Sequence, residues 1–169
     1  DSTLYVSWNG MMASSFLEAY KALGDERYKL SALKAINRLI DQAYIPDRGF
    51  FHSLSDDTPK VDGLLEDQIH MARALIDAYE VTAEARYLEK AQEVMDHSIL
   101  YYWDEAEGGF FDISSKKQGS IGLGTRDKPM QDSPTPGTNY VAIIVLDRLY
   151  HLTRHRKYYE MAEQMLKLF

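Results

Sequence analysis

The sequence predicts an all-α fold: three antiparallel helical hairpins stacked into an arc of a two-layered ring. Three observations predict it. One pattern is written three times: a tyrosine, seven residues, a second tyrosine, three residues, an alanine. It occurs as Tyr20, Tyr28 and Ala32, as Tyr79, Tyr87 and Ala91, and as Tyr150, Tyr158 and Ala162. Repetition on this scale marks stacked copies of one supersecondary unit. Within each copy a nearly all-apolar helix precedes an amphipathic one, so one layer is buried and the other keeps a wet face. Finally, Gly49-Phe50-Phe51 is echoed by Gly109-Phe110-Phe111, at nearly the same distance past the second tyrosine.

The first hairpin is expected over about residues 11–44. Met11 to Leu23 is apolar apart from Ser14, Ser15, Glu18 and Lys21. Gly24-Asp25 breaks it, and Asp25 is suited to cap the next helix. That helix, from about Glu26 to Ala43, sets Leu30, Leu33, Ile36, Leu39 and Ile40 against Lys29, Lys34, Asn37, Arg38 and Asp41 on the opposite face. The second hairpin covers about 64–100, with Leu64 to Thr82 buried and Ala85 to Leu100 amphipathic. The third covers about 136–169. Thr135-Pro136 reads as an N-cap followed by proline at the first helical position, and the last helix runs from Arg156 to Phe169. The tyrosines straddle each hairpin turn and are expected to pack at the corner. Each Gly-Phe-Phe reads as a turn and short strand, giving small β-hairpins at one end of the array. The segment from Asp112 to Thr135, with Gly119, Gly122, Gly124, Pro129 and Pro134, is a lid candidate. The chain reads as a single domain over 1–169, a fragment of a longer ring.

Composition narrows the function classes. The net charge of −7 argues against nucleic acid and anionic membrane partners. No cysteine is present, which excludes disulfides, thiolate nucleophiles and Cys-bound zinc. The first residues lack the basic and apolar regions of a signal peptide, and the longest strongly apolar run, Tyr140 to Leu146, is far short of a membrane span. The expected location is cytoplasmic. His151 and His155 have metal-pair spacing, but they lie among Arg154, Arg156 and Lys157 at a helix end, where basic side chains complement the macrodipole. No metal and no cofactor is expected.

The connections before the three buried helices should crowd one mouth of the arc. The repeat register aligns Trp8 with Asp67 and puts Asn139 within one residue of both. Trp8, Asn9, Asp67, Asp132, Thr135 and Asn139 are the candidate substrate-binding residues. An indole face packs on a pyranose while carboxylates and amides bind its hydroxyls, so a small-molecule carbohydrate is the expected ligand. Glu66, His70, Arg73, Asp77 and Glu80 form one polar stripe, along which Arg73 and Asp77 can pair. His70, with Glu66 one turn before it, is the candidate acid–base residue and Glu66 its partner. Helix caps and solvated faces explain the same residues without any chemistry.

Four ordered segments carry a family resemblance: Asp1 to Met12 with its Ser7-Trp8-Asn9-Gly10 core, Leu65-Glu66-Asp67, Gly108-Gly109-Phe110-Phe111, and Asp132 to Asn139. Together they resemble the DUF255 (YyaL-like, spermatogenesis-associated protein 20-like) family of thioredoxin-domain-containing proteins, over essentially the whole chain. The resemblance implies part of a six-hairpin (α/α) toroid similar to N-acylglucosamine 2-epimerase and cellobiose epimerase. The reading is therefore a carbohydrate-active module of that class, an epimerase or isomerase. The alternatives are a non-catalytic helical scaffold that binds a protein, and a glycosidase-like hydrolase with two opposed carboxylates. Half a ring would expose a flank of inner helices, so self-association or pairing with the missing half is expected.

Overall fold

The structure is a computed structural model and describes residues 3–117, 126–132 and 134–168. Six helices form three hairpins: α1 (Val6–Leu23) with α2 (Glu26–Ala43), α3 (Leu65–Thr82) with α4 (Ala85–Tyr102), and α5 (Thr138–Thr153) with α6 (Arg156–Leu168). α3 packs between α1 and α5, and α2, α4 and α6 form a second layer. Among the described residues no helix is long and apolar enough to cross a membrane.

The repeated tyrosines each have a fixed task. Four residues after the first tyrosine, Gly24, Ala83 and Arg154 all take the left-handed conformation that ends a helix. Each returns its N–H to a tyrosine carbonyl: Tyr20 at 2.8 Å, Tyr79 at 2.7 Å and Tyr150 at 2.8 Å. The second tyrosine reaches back to the preceding outer helix. Tyr87 Oη donates to Asn37 Oδ1 at 3.2 Å, and Tyr158 Oη to Asp96 Oδ1 at 2.9 Å, from equivalent register positions. The expected corner packing is thus a hydrogen-bonded tie between hairpins. Only Gly24 adopts its positive φ without a Cβ penalty. Ala83→Gly should therefore stabilise the fold by about 0.5–1 kcal/mol, read as a raised midpoint in urea unfolding.

Short strands occupy one end. β2 (Tyr44–Ile45) pairs with β3 (Gly49–Phe50), matching Tyr44 to Phe50. The second copy keeps this as a single bridge, Trp103 to Phe110. β1 (Leu4–Tyr5), β4 (Ser53–Ser55) and β5 (Thr58–Lys60) form a three-stranded antiparallel sheet in the order β1-β4-β5. The Gly-Phe-Phe strands are pinned by amides of the following helix. Gln68 Oε1 accepts from Phe50 N at 2.8 Å and its Nε2 donates to Phe50 O at 2.7 Å. Asn139 Oδ1 accepts from Phe110 N at 2.8 Å and its Nδ2 donates to Phe110 O at 3.0 Å. Both residues stand eleven positions before their helix's tyrosine, so one clasp is built twice.

Three expectations on the elements change. α1 begins at Val6 and not near Met11, which brings Ser7, Trp8 and Asn9 into its first turn. α5 begins at Thr138 with Gly137 before it, so Thr135-Pro136 belongs to the preceding turn. α1 and α5 are not buried all round: each ends the array, leaving Met12 on one and Ile144 on the other half-exposed. The lid expectation for 118–125 and Ser133 lies outside the described residues. On its flanks Asp112 N donates to Asp127 O, and Arg126 bonds Ile113 O and Tyr101 O.

Candidate functional site

The first turns of α1 and α3 and the strand end after Phe51 meet at one rim. Asp67 anchors them from a fully buried position. Its Oδ1 accepts from Ser7 N at 3.1 Å and its Oδ2 from Leu64 N at 2.9 Å. A carboxylate in a helix's first turn is also favoured by the macrodipole. The same Oδ2 lies 3.1 Å from His52 Nδ1. A carboxylate can only accept, so Nδ1 carries the proton that faces Asp67. Asp67 therefore sets the tautomer and angle of His52.

Glu66 is half-buried on the other side of the turn and accepts from Ser7 Oγ at 3.4 Å. Burial, with the Asp67 charge second, pushes its carboxyl above the usual carboxylate range, so it holds its proton more tightly than an exposed glutamate. Glu66 lines a cleft of about 190 Å³ with Asp112, Pro129 and Thr138. The Tyr5 ring lies 5.4 Å from His52 and 4.9 Å from Trp8, whose indole is 61% exposed. The accessible indole thus stands one ring away from the imidazole, with Asp67 buried behind it. Ligand atoms of His52, Glu66 and Asp67 lie within 4.8 Å of one another, a donor set able to hold a divalent cation. The Asp67 oxygens already serve two backbone N–H groups, however.

The structure brings Trp8, Glu66 and Asp67 together and leaves other candidates apart. His70 is 2% exposed and lines a different cavity, of about 380 Å³, with Ser14, Glu18, Arg73 and Pro136. Among the described residues its Nδ1 has no hydrogen-bond partner, so Glu66 does not orient it. Burial, and then the Arg73 charge, push its imidazole down to about 4. Asp77 pairs with Arg148 at 2.7 Å and not with Arg73, because α5 brings Arg148 against it. Asn139 is fully buried, with both ends of its amide on backbone; Nδ2 also reaches Pro129 O at 3.2 Å. That geometry makes it a clasp and removes it from the sugar contacts. Asn9 Nδ2 donates to Tyr5 O at 2.8 Å. Asp132 Oδ1 accepts from Gly137 N at 2.7 Å, shaping the turn into α5, and Thr135 lies half-buried in that turn. His151 Nδ1 faces Asp147 O and His155 Nδ1 faces Gln92 Nε2.

The reading of the sequence missed His52, Tyr5 and Asp112. A signal was available. His52 follows Gly49-Phe50-Phe51 and Asp112 follows Gly109-Phe110-Phe111, so the echo carries a polar residue into the rim in both copies.

The model of glycosyl hydrolase family 76 matches residues 1–168. Human spermatogenesis-associated protein 20 is 30% identical over 181 residues, covering all of this chain and 22% of the relative. The chain therefore spans about a fifth of the length of the curated relatives it matches. Cellobiose 2-epimerase from Bacillus thermoamylovorans superposes with a TM-score of 0.81 at 16% identity, over 100% of this chain and 45% of that one. An inactive α-1,6-mannanase from Salegentibacter sp., with two adjacent aspartates changed to alanine and α-1,6-mannotetrose bound, gives a TM-score of 0.72. Its identity is 16%, over 95% of this chain and 45% of that one. At these identities the likeness is one of fold: the chain forms part of an (α/α)6 toroid.

Proposed function

Since the chain belongs to glycosyl hydrolase family 76, we propose that it is a carbohydrate-active module whose rim cluster moves a proton to and from a bound sugar. One observation carries this reading. A carboxyl that resists ionisation, Glu66, stands beside an imidazole whose tautomer Asp67 fixes, next to the exposed Trp8 indole. Acid, base and stacking surface lie in one cluster. In an epimerase-type reaction His52 Nε2 takes the proton from the carbon next to the sugar carbonyl. The electron pair passes to the carbonyl oxygen as an enediolate, and the Glu66 carboxyl returns a proton on the other face. Trp8 stacks the ring and Tyr5 supports it. His52 thereby takes the role the sequence gave to His70.

Glycoside hydrolysis is the second reading. Two observations favour it: Glu66 and Asp112 line the same cleft, and the family itself is one of hydrolases. Glu66 would protonate the leaving oxygen and Asp112 would act as the second carboxylate. The scaffold alternative draws on an apolar groove of about 270 Å³ between Ile144, Tyr159 and Leu166 on the α5–α6 flank.

The longest natural polypeptide containing this sequence, assayed by NMR in deuterated water with reducing sugars and α-mannosides, separates the readings. Deuterium at C2 marks epimerisation, and a new reducing end marks hydrolysis. His52→Ala should lower epimerisation by about 10²–10⁴-fold and spare hydrolysis. Asp112→Asn should do the reverse. Neither product from the wild type, with sugars failing to bind, sinks the proposal.

A further inference from the structure

The geometry points to the cavity between α1 and α3 as a binding site for a small organic monocarboxylate, held by Arg73 together with Ser14 and His70. The site is separate from the rim cluster, and the inference does not rest on the proposed proton chemistry. The cavity, of about 380 Å³, lies between Met11, Ser14, Glu18, His70, Arg73 and Pro136. Among the described residues three enclosed polar atoms on its wall have no hydrogen-bond partner: Ser14 Oγ, His70 Nδ1 and Arg73 Nε. Ser14 is only 4% exposed and His70 only 2%. Enclosed polar groups are ordinarily paired, so three orphans on one cavity mark a place shaped for a polar ligand. The repeat register sets them side by side. Ser14 stands six residues before Tyr20 and Arg73 six before Tyr79, at equivalent positions of neighbouring helices, and His70 is one turn before Arg73.

Charge selects the ligand. Further along the same helices, Lys21 and Arg148 share Glu18, Asp77 and Glu80 at 2.7–2.9 Å. Arg73 alone of these three cations has no carboxylate within ion-pair distance among the described residues. Its planar fork suits the two oxygens of one carboxylate. Burial keeps the His70 imidazole neutral at pH 7, so it presents one N–H to an acceptor. The Ser14 hydroxyl donates as well. One positive charge and two neutral donors match a single negative charge. A phosphate dianion matches less well, because its second charge faces Glu18 on the same wall. The cavity is larger than a carboxylate group. Met11 and Pro136 give the carbon skeleton an apolar wall, and Glu18 can accept from a ligand hydroxyl.

The test is isothermal titration calorimetry on the longest natural polypeptide containing this sequence, with D-gluconate as the probe. Sorbitol, in which CH2OH replaces the carboxylate, is its neutral twin. Neither carries the carbonyl that the rim chemistry needs. Saturable gluconate binding is expected, at least about tenfold tighter than sorbitol. Arg73→Gln should abolish it, and Ser14→Ala should weaken it about tenfold. If Arg73→Gln does not fold, Ser14→Ala decides. His52→Ala should leave gluconate binding intact, which keeps this site distinct from the rim whether or not the rim is catalytic. An absence of saturable gluconate binding, which would mean a cavity that holds only water, overturns the inference. So do equal binding of sorbitol, tighter binding of inorganic phosphate, full affinity in Ser14→Ala, or loss of binding in His52→Ala.

Discussion

Asn139→Ala is expected to cost about 3 kcal/mol of stability, measured by urea unfolding with fluorescence and circular dichroism. The estimate follows from what the amide leaves behind. Phe110 N and Phe110 O are enclosed, and the Asn139 carboxamide is their partner at 2.8 and 3.0 Å. A buried backbone group stranded without a partner costs about 1–3 kcal/mol, and here two are stranded. Part of that cost relaxes as Phe110 shifts toward its bridge with Trp103. Asn139→Asp is nearly isosteric but removes the donor and buries a charge, so it should be no milder. Asn9→Ala serves as the internal control, because its amide carries only the local bond to Tyr5 O; its cost should stay below about 1 kcal/mol. A mild Asn139→Ala variant with impaired sugar binding would instead restore Asn139 to the site.

The same residue shows how much the sequence discloses. The tyrosine repeat fixed the three hairpins because the helix ends and inter-hairpin ties are local and periodic. The amide clasps are not legible in the repeat because their partners are irregular strand residues 18 and 29 positions away. Ser7-Trp8-Asn9-Gly10 was expected in the connection before the first helix. It is the first turn of α1, and Gly10 there lets α3 pack closely: a Cβ would lie 3.1 Å from the His70 carbonyl carbon. Glu66 was expected in the acid–base pair with His70, and Asp67 among the groups that bind sugar hydroxyls. On a helix, successive side chains diverge by about 100°, so Asp67 turns into the body and Glu66 toward the cleft. Burial then separates their roles, which residue type alone could not reveal.

Acidification should destabilise the fold between pH 6.5 and pH 4, with His70 as the main source. Its folded-state value is about 4 against an ordinary 6.5, because burial, helped by the Arg73 charge, disfavours the imidazolium. In that window the unfolded chain binds the proton and the folded chain does not. Unfolding therefore takes up protons, and stability falls as the pH drops from 6.5 toward 4. At about 1.36 kcal/mol per pH unit, the loss amounts to about 3 kcal/mol. His97, also held near 4 by burial and Lys116, acts in the same direction, but it is partly exposed and solvent screens its share. Glu66 opposes the trend, because a raised carboxyl favours the folded state at low pH. His70→Leu separates the contributions. It removes the titrating group and an Nδ1 without a partner, so it should flatten most of the acid slope while leaving stability at pH 7 unchanged or higher. If the slope survives in that variant and vanishes in His97→Leu, the half-buried imidazole and not the buried one governs the acid response.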